Sequence, residues 1–276
     1  MILETSEQYH ANAAISHSKL EVFRRRPRLF QMRYVTKELP APEPTAAFRL
    51  GSATHSAVLE PEKFVTLYAQ RPEGIDRRTK EGKAAWESFI AQHAGKEFLD
   101  AEEWAQVSAM MNAVRANPLA SQLLSDGSPE LVWRSYGATI ALQCRTDWFN
   151  PKGVELSEGR PYVADLKTIE TLDSDAYRSF EKSCFSYGYH RQVGFYLPLL
   201  TEVLAKPVFD FFFIVVEKQP PYGVAVFRLD DQAISVGQDE TIDDLRRLKA
   251  CVEKNEWPNV PNEITHLSLP KWYAQK

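Results

Sequence analysis

Ile140-Ala141-Leu142-Gln143-Cys144-Arg145-Thr146-Asp147-Trp148-Phe149 alternates loosely between apolar and polar residues and runs into Asn150-Pro151-Lys152-Gly153. Alternation of period two marks a strand, and a polar cluster with Pro and Gly marks its end. Tyr162-Val163-Ala164-Asp165-Leu166-Lys167-Thr168 reads as a second strand, giving a hairpin-like pair. On such a pair Asp147 and Asp165 come near each other at one edge, and Lys167 shares the face of Asp165. Two carboxylates and an ammonium on one face are costly to bury unless a divalent cation neutralises the acids. Such acids suit hard Mg2+ or Mn2+, and a neighbouring lysine can orient or activate water for attack on a phosphodiester. An Asp-x-Lys triplet is common, however, and alone it reads as a surface hairpin with a salt bridge.

The rest of the chain has to decide between these readings. Its 276 residues, 44% of them hydrophobic, allow one large domain or a core with an added subdomain. A net charge of -4 argues against an indiscriminate phosphate binder and leaves room for a local basic groove. Three scattered cysteines, Cys144, Cys184 and Cys251, imply neither a disulfide framework nor a zinc cluster, and point to a reducing compartment. Residues 1–10 lack a basic region followed by an apolar one, and no apolar run approaches membrane-spanning length. The expectation is a soluble cytoplasmic protein without a membrane partner. No internal repeat, Walker-type glycine loop, His-Glu-x-x-His motif or nucleophile elbow is present.

Upstream, Ser16-His17-Ser18-Lys19-Leu20-Glu21-Val22-Phe23 reads as a helix start, with Ser18 as N-cap and Glu21 completing a capping box. It leads into Arg24-Arg25-Arg26-Pro27-Arg28, a basic turn that reads equally as a solvated helix end or a phosphate contact. Residues 39–44 carry three prolines and form a linker or extended loop. Residues 46–60 are helical and contain Gly51-Ser52-Ala53-Thr54-His55. Gly51 would let another backbone approach, and His55 projects from the same face. Taken alone, His55 reads as a hydrogen-bonded core histidine. Residues 71–83 form a polar mobile loop in which Arg77, Arg78 and Lys80 meet either solvent or a DNA backbone. Helices are expected over 84–94 and 101–116, with Trp86, Phe89, Trp104, Val107 and Met111 in a core.

Downstream, residues 129–135 begin the strand-rich half, and Glu130 at that strand's start reads first as an exposed strand-end carboxylate and second as an additional acid facing Asp147 and Asp165. Asp173 or Ser174 caps a helix running to about Cys184, and a second helix covers 188–205. There Gln192 and Tyr196, four residues apart, share a face and can contact a phosphate, or else form a polar pair on a buried helix. His190 and Arg191 read as solvated. Residues 209–217 are almost continuously apolar, as expected of a strand covered on both faces, and 224–229 is its hairpin partner. Residues 234–254 contain an amphipathic helix with Ile242, Leu245, Leu248 and Val252 on its apolar stripe. The tail, 257–276, wraps irregularly on the body.

The order of elements, with acids on the middle strands, resembles the PD-(D/E)XK nuclease superfamily. Asp147 matches the acid of its first half-motif, with Thr146 in place of the nominal proline, and Asp165-Leu166-Lys167 matches its (D/E)-x-K. Gly51 to His55 fits the Gly-x-x-x-His helix of the RecB-like branch, and Gln192-Val193-Gly194-Phe195-Tyr196 fits its Gln-x-x-x-Tyr helix. Each motif is weak alone; together and in order they are specific. The opening from Ser16 to Pro27 is also similar to the nuclease domain of exodeoxyribonuclease VIII (RecE) and related prophage proteins.

The resemblance implies an α/β fold: a central mixed sheet flanked by helices, with an N-terminal helical part. It implies a single nuclease domain over 1–276, with residues 1–128 mainly helical, 129–256 the catalytic core and 257–276 a tail. It further implies that His55, Asp147, Asp165 and the Leu166 carbonyl bind Mg2+, with Mn2+ as a substitute. Lys167 would position the attacking water, and Gln192 and Tyr196 would hold the DNA strand. The implied activity is 5'-to-3' digestion of linear double-stranded DNA, leaving 3' single strands for a single-strand annealing partner in recombination. A ring-shaped homo-oligomer is implied as well. The rivals are an endonuclease or helicase-associated nuclease of the same fold, and a non-catalytic DNA-binding or assembly protein. The dispersed cysteines disfavour the iron-sulfur nucleases of this branch.

Overall fold

The computed structural model describes residues 4–40, 43, 45–137, 139–173, 176–208, 210–260, 263–264 and 266–268. Short helices α1 (Ser6–Ala11), α2 (His17–Arg25) and α3 (Pro27–Phe30) open the chain, and α3 continues into a π-helical turn at Gln31–Val35. Next come α4 (Ala46–Leu59) and α5 (Pro61–Leu67). A small parallel sheet pairs β1 (Tyr68–Gln70) with β2 (Glu97–Leu99), with α6 (Lys80–Gln92) between them in sequence. Helices α7 (Ala101–Ala116) and α8 (Pro118–Leu123) lead to the main sheet.

That sheet has five strands in chain order: β3 (Ser128–Tyr136), β4 (Ala141–Asn150), β5 (Tyr162–Ile169), β6 (Asp210–Glu217) and β7 (Val224–Arg228). All neighbours are antiparallel except β5 and β6, whose parallel pairing requires a long crossover. Helices α9 (Ala176–Tyr187) and α10 (Tyr189–Leu204) supply it, and α11 (Asp231–Lys254) closes the fold. The turn after β4 is fixed by Asn150, whose Oδ1 accepts the Lys152 and Gly153 amides at 2.8 and 2.9 Å, while Gly153 takes φ +77°.

Strand alternation sorts the core into two layers. Val163, Phe211, Phe213 and Val215 join Leu20, Phe23, Phe195, Leu199 and Leu248 on one face of the sheet. Tyr162, Ala164, Leu166, Phe212, Ile214 and Val216 join Ala57, Val107, Met110 and Leu123 on the other. The helices before residue 128 are therefore divided: α2 and α3 lie with α10 and α11, while α4, α7 and α8 cover the opposite face. At the crossing of α10 and α11 the two backbones touch at glycines. A methyl group added at Gly194 would lie 2.3 Å from the Gly237 carbonyl carbon.

Several sequence expectations need correcting. The N-cap of α2 is Ser16, whose side chain accepts the Lys19 amide, and Glu21 turns to Arg191 instead of back to the cap. Arg191 itself is buried, bridging Glu21 and Glu240 and so tying α2, α10 and α11 together. No α6 side chain is fully buried; Trp86 and Phe89 are half-buried, stack on each other and meet Phe98 edge-on and at a tilt, respectively. The inward face of α11 is Gly237, Thr241, Asp244 and Leu248, because the glycine contact with α10 sets its rotation, leaving Ile242 and Val252 exposed. Gly51 meets no backbone: a methyl there would touch only Thr168 Oγ1, at 3.9 Å. In the tail Trp257 stacks on Phe30 at 5.9 Å between ring centroids. Ser174, Phe209, Pro261, Pro270 and Trp272 lie outside the described residues.

Candidate active site

The site forms where the sheet comes apart. β4 and β5 pair only from Trp148 with Ala164 to Asn150 with Tyr162. Continuing that register would set Asp147 against Asp165, but the ladder stops one residue short. Instead Asp147 Oδ2 accepts the Leu166 amide at 2.9 Å. Its neighbour on the other side, β3, is also interrupted there. Pro129 pairs with Trp148 and Leu131 with Thr146, while Glu130, between them, adopts φ +53° and leaves the ladder. The facing pattern of β4 reverses across the same point: Cys144 and Phe149 pack on one face, whereas Trp148 packs on the other. An unpaired acid on each of two adjacent strands is the result.

His55 reaches this gap from α4, which covers the second face. Its Nδ1 lies 3.3 Å from Asp147 Oδ2. His55, Glu130 and Asp147 each bring a donor atom within 4.8 Å of the others. Three side chains from three elements thus converge, one imidazole and two carboxylates. Burial first, then the Asp147 charge, pushes the Glu130 carboxyl up to about 7. The site is therefore short of positive charge, although Arg145 Nε contacts Glu130 Oε2 at 2.8 Å. Oxygen-rich donors with one imidazole, in a pocket where acids crowd, fit a hard divalent cation.

Asp165 and Lys167 stand beside this triad on β5. Asp165 is fully enclosed, and burial pushes its carboxyl up to about 6 despite the neighbouring Lys167. Gln192 Nε2 donates to its Oδ1 at 2.6 Å. Its Oδ2 touches the Lys167 ammonium but has no partner in hydrogen-bond geometry. Burial acts to lower the Lys167 pKa, but the charges of Asp165 and Asp147 outweigh it and the pKa rises overall. Lys167 is therefore a fixed cation at neutral pH, with its ammonium 4.9 Å from the Tyr189 ring centroid.

Gln192 and Tyr196, expected to face DNA, are both buried and engaged within the chain. Gln192 orients Asp165, and the Tyr196 hydroxyl donates to the Arg145 carbonyl at 3.1 Å. The basic clusters do not act as blocks either. Arg24 pairs with Asp244 at 2.9 Å and Glu240 at 3.1 Å, Arg25 with Glu21 at 3.7 Å, and Arg28 with Gln31. Arg26 is exposed. Arg77 stacks over Trp86 at 4.8 Å and Arg78 grips Asp76 at 3.0 Å, while Lys80 begins α6 and is exposed. Arg145 and Tyr189 were not singled out in the sequence. Arg145 could have been, since it stands two residues before Asp147 on one strand.

A mixed five-stranded sheet flanked by helices, with Asp147, Asp165 and Lys167 on its middle strands, defines a nuclease-type α/β fold of the PD-(D/E)XK class. The chain belongs to the family described as PDDEXK-like domain of unknown function (DUF3799), which matches residues 16–269. Among solved structures, a Eubacterium rectale protein designated a putative exonuclease superposes with a TM-score of 0.64 at 13% identity, covering 99% of this chain and 98% of its own. The structure of SSO0001 covers 71% of this chain and 84% of its own at 13% identity, and its TM-score of 0.28 carries no weight. No curated protein matches in sequence. Among the described residues no helix is long and apolar enough to cross a membrane.

Proposed function

We propose that the protein is a divalent-metal-dependent deoxyribonuclease that digests linear double-stranded DNA from its ends. The observation that carries this reading is the convergence of His55, Glu130 and Asp147 from α4, β3 and β4 beside the Asp165–Lys167 pair. His55, Glu130, Asp147 and Asp165, with the Leu166 carbonyl by resemblance, would hold Mg2+ or Mn2+. The ion would supply Lewis-acid polarisation of the scissile phosphate. The chain's own residues do the rest. Lys167, held cationic by Asp165, orients an attacking water and offsets the negative charge that builds on the phosphate. Gln192 keeps Asp165 in one rotamer, and the Leu166 amide does the same for Asp147. Arg145 holds Glu130 against the site.

Digestion in the 5'-to-3' direction, leaving a 3' single strand, is supported by the resemblance of residues 16–27 and of the four motifs to exodeoxyribonuclease VIII. A ring-shaped homo-oligomer and a single-strand annealing partner belong to the same reading. The test is digestion of linear duplex labelled separately at each end, with Mg2+, with chelator, and with Lys167→Ala, beside a closed circle. Metal-dependent release of the 5' label, absent from the variant, is expected, with the closed circle left intact. Cleavage of the circle would make the protein an endonuclease. Binding without hydrolysis in Mg2+ and Mn2+ would make it a non-catalytic DNA-binding protein.

A further inference from the structure

Lys167 has a second side. Away from Asp165, it lines a cavity of about 540 Å³ between the ends of β5 and β6 and helix α9. The chemistry of that cavity differs from that of the metal centre. Its walls carry two tyrosines, Tyr187 and Tyr189, and four basic side chains against two acidic ones, Glu170 and Asp173. Glu170 and Lys218 neutralise each other at 2.5 Å and Lys167 is paired with Asp165, while Asp173 keeps its charge and accepts from Ser179 Oγ at 2.6 Å. Lys182 is exposed at the rim, on α9.

The tyrosines form an outward aromatic series. Tyr189 lies against the core ring Phe213 at 5.6 Å, and Tyr187 leans on Tyr189 at 5.8 Å with a 30° tilt. The inner ring, Tyr189, carries the Lys167 ammonium. The outer ring, Tyr187, is 63% exposed. An aromatic face open to solvent, backed by anchored rings and bordered by cations, is what a nucleobase and its phosphate recognise together.

We infer that this cavity is a binding subsite for one unpaired nucleotide of the strand being cut, with its base on Tyr187 and its phosphate toward Lys182. The inference rests on the nuclease reading for its place in the reaction, since Lys167 joins the subsite to the acids. The cavity has the volume of a small-molecule pocket, so a nucleotide enters it only after leaving its base pair. The enzyme would then act on frayed or single-stranded ends in preference to stacked duplex. Base stacking tolerates any sequence, because every base offers a π face.

The test is binding of a fluorescein-labelled single-stranded oligodeoxynucleotide in Ca2+ without Mg2+, beside the same strand made wholly of tetrahydrofuran abasic units. Tyr187→Ala is expected to weaken the normal strand roughly tenfold and to leave the abasic strand unchanged, with Tyr187→Trp binding as the parent does. Tyr187→Ala binding the normal strand as tightly as the parent would overturn the subsite. So would an equal loss on both strands. Hydrolysis is scored separately in Mg2+ and Mn2+. A parent protein that cuts neither these strands nor linear duplex DNA defeats the nuclease reading while the Ca2+ binding result still decides the subsite.

Discussion

Gln192 Nε2 donates to Asp165 Oδ1 across 2.6 Å, tying the middle of α10 to the acid of β5. Both groups are buried, so the bond fixes the carboxylate more than it contacts any substrate. Gln192→Ala should lower Mn2+ affinity, read by calorimetry, and the hydrolysis rate each by roughly 10–100-fold, as loss of an outer-shell partner does. A variant with an altered KM for DNA and unaltered Mn2+ affinity would instead assign Gln192 to the substrate.

Lys167 is a cation locked between Asp165 and Tyr189. Lys167→Met keeps the stem and removes the charge. Its hydrolysis rate should fall about 10²–10³-fold, the range for losing one preorganised electrostatic contact. Mn2+ binding should persist, since the acids and His55 remain. Unimpaired turnover in this variant would remove Lys167 from the chemistry.

Glu130 makes stability depend on pH when metal is absent. Its carboxyl rises from 4.5 to about 7, through burial and the Asp147 charge. Between those values the folded protein holds a proton that the unfolded chain has released, so stability falls as pH rises and the loss is complete above about 7. Asp165 acts in the same direction. In chelator, Tm should therefore drop from pH 5 to pH 8; Glu130→Gln should flatten the slope, and added Mn2+ should restore Tm at pH 8. A Tm rising with pH in chelator would contradict this account.

Arg24 belongs to the fold. It joins α2 to Asp244 and Glu240 of α11, and Asp244 is enclosed. Arg24→Ala should cost about 1–3 kcal/mol of unfolding free energy. The salt dependence of DNA binding should keep its slope. Arg26, Arg77, Arg78 and Lys80 are exposed, and charge removal there would flatten that slope if they meet phosphates.

Gly194 permits the crossing of α10 and α11. Gly194→Ala should destabilise by about 1–3 kcal/mol, because backbone must move to admit a methyl. As α10 also carries Gln192, the hydrolysis rate should fall with it. Unchanged thermal unfolding would mean that the helices separate at little cost.

Much of this protein is set by its sequence alone. Period-two alternation marked β4, a continuous apolar run marked β6, and i to i+4 spacing placed Gln192 and Tyr196 on one helix. Those are local signals, and the order of elements they give restricts the topology to a mixed sheet with a helical crossover. The acids Asp147 and Asp165 and the lysine were legible for the same reason, as was His55 once the motifs were read together. Tertiary structure decided the rest. Glu130 comes within reach of His55 and Asp147 because two strand ladders break at one level, and no local pattern announces such a break. Gln192 and Tyr196 turn inward because α10 is pressed onto the sheet by α11 through a glycine contact. Arg24 faces acids that follow it by more than two hundred residues. The aromatic wall beside Lys167 depends on Phe213 lying under Tyr189. Spacing along a chain fixes which side chains share a face; only packing fixes what that face meets.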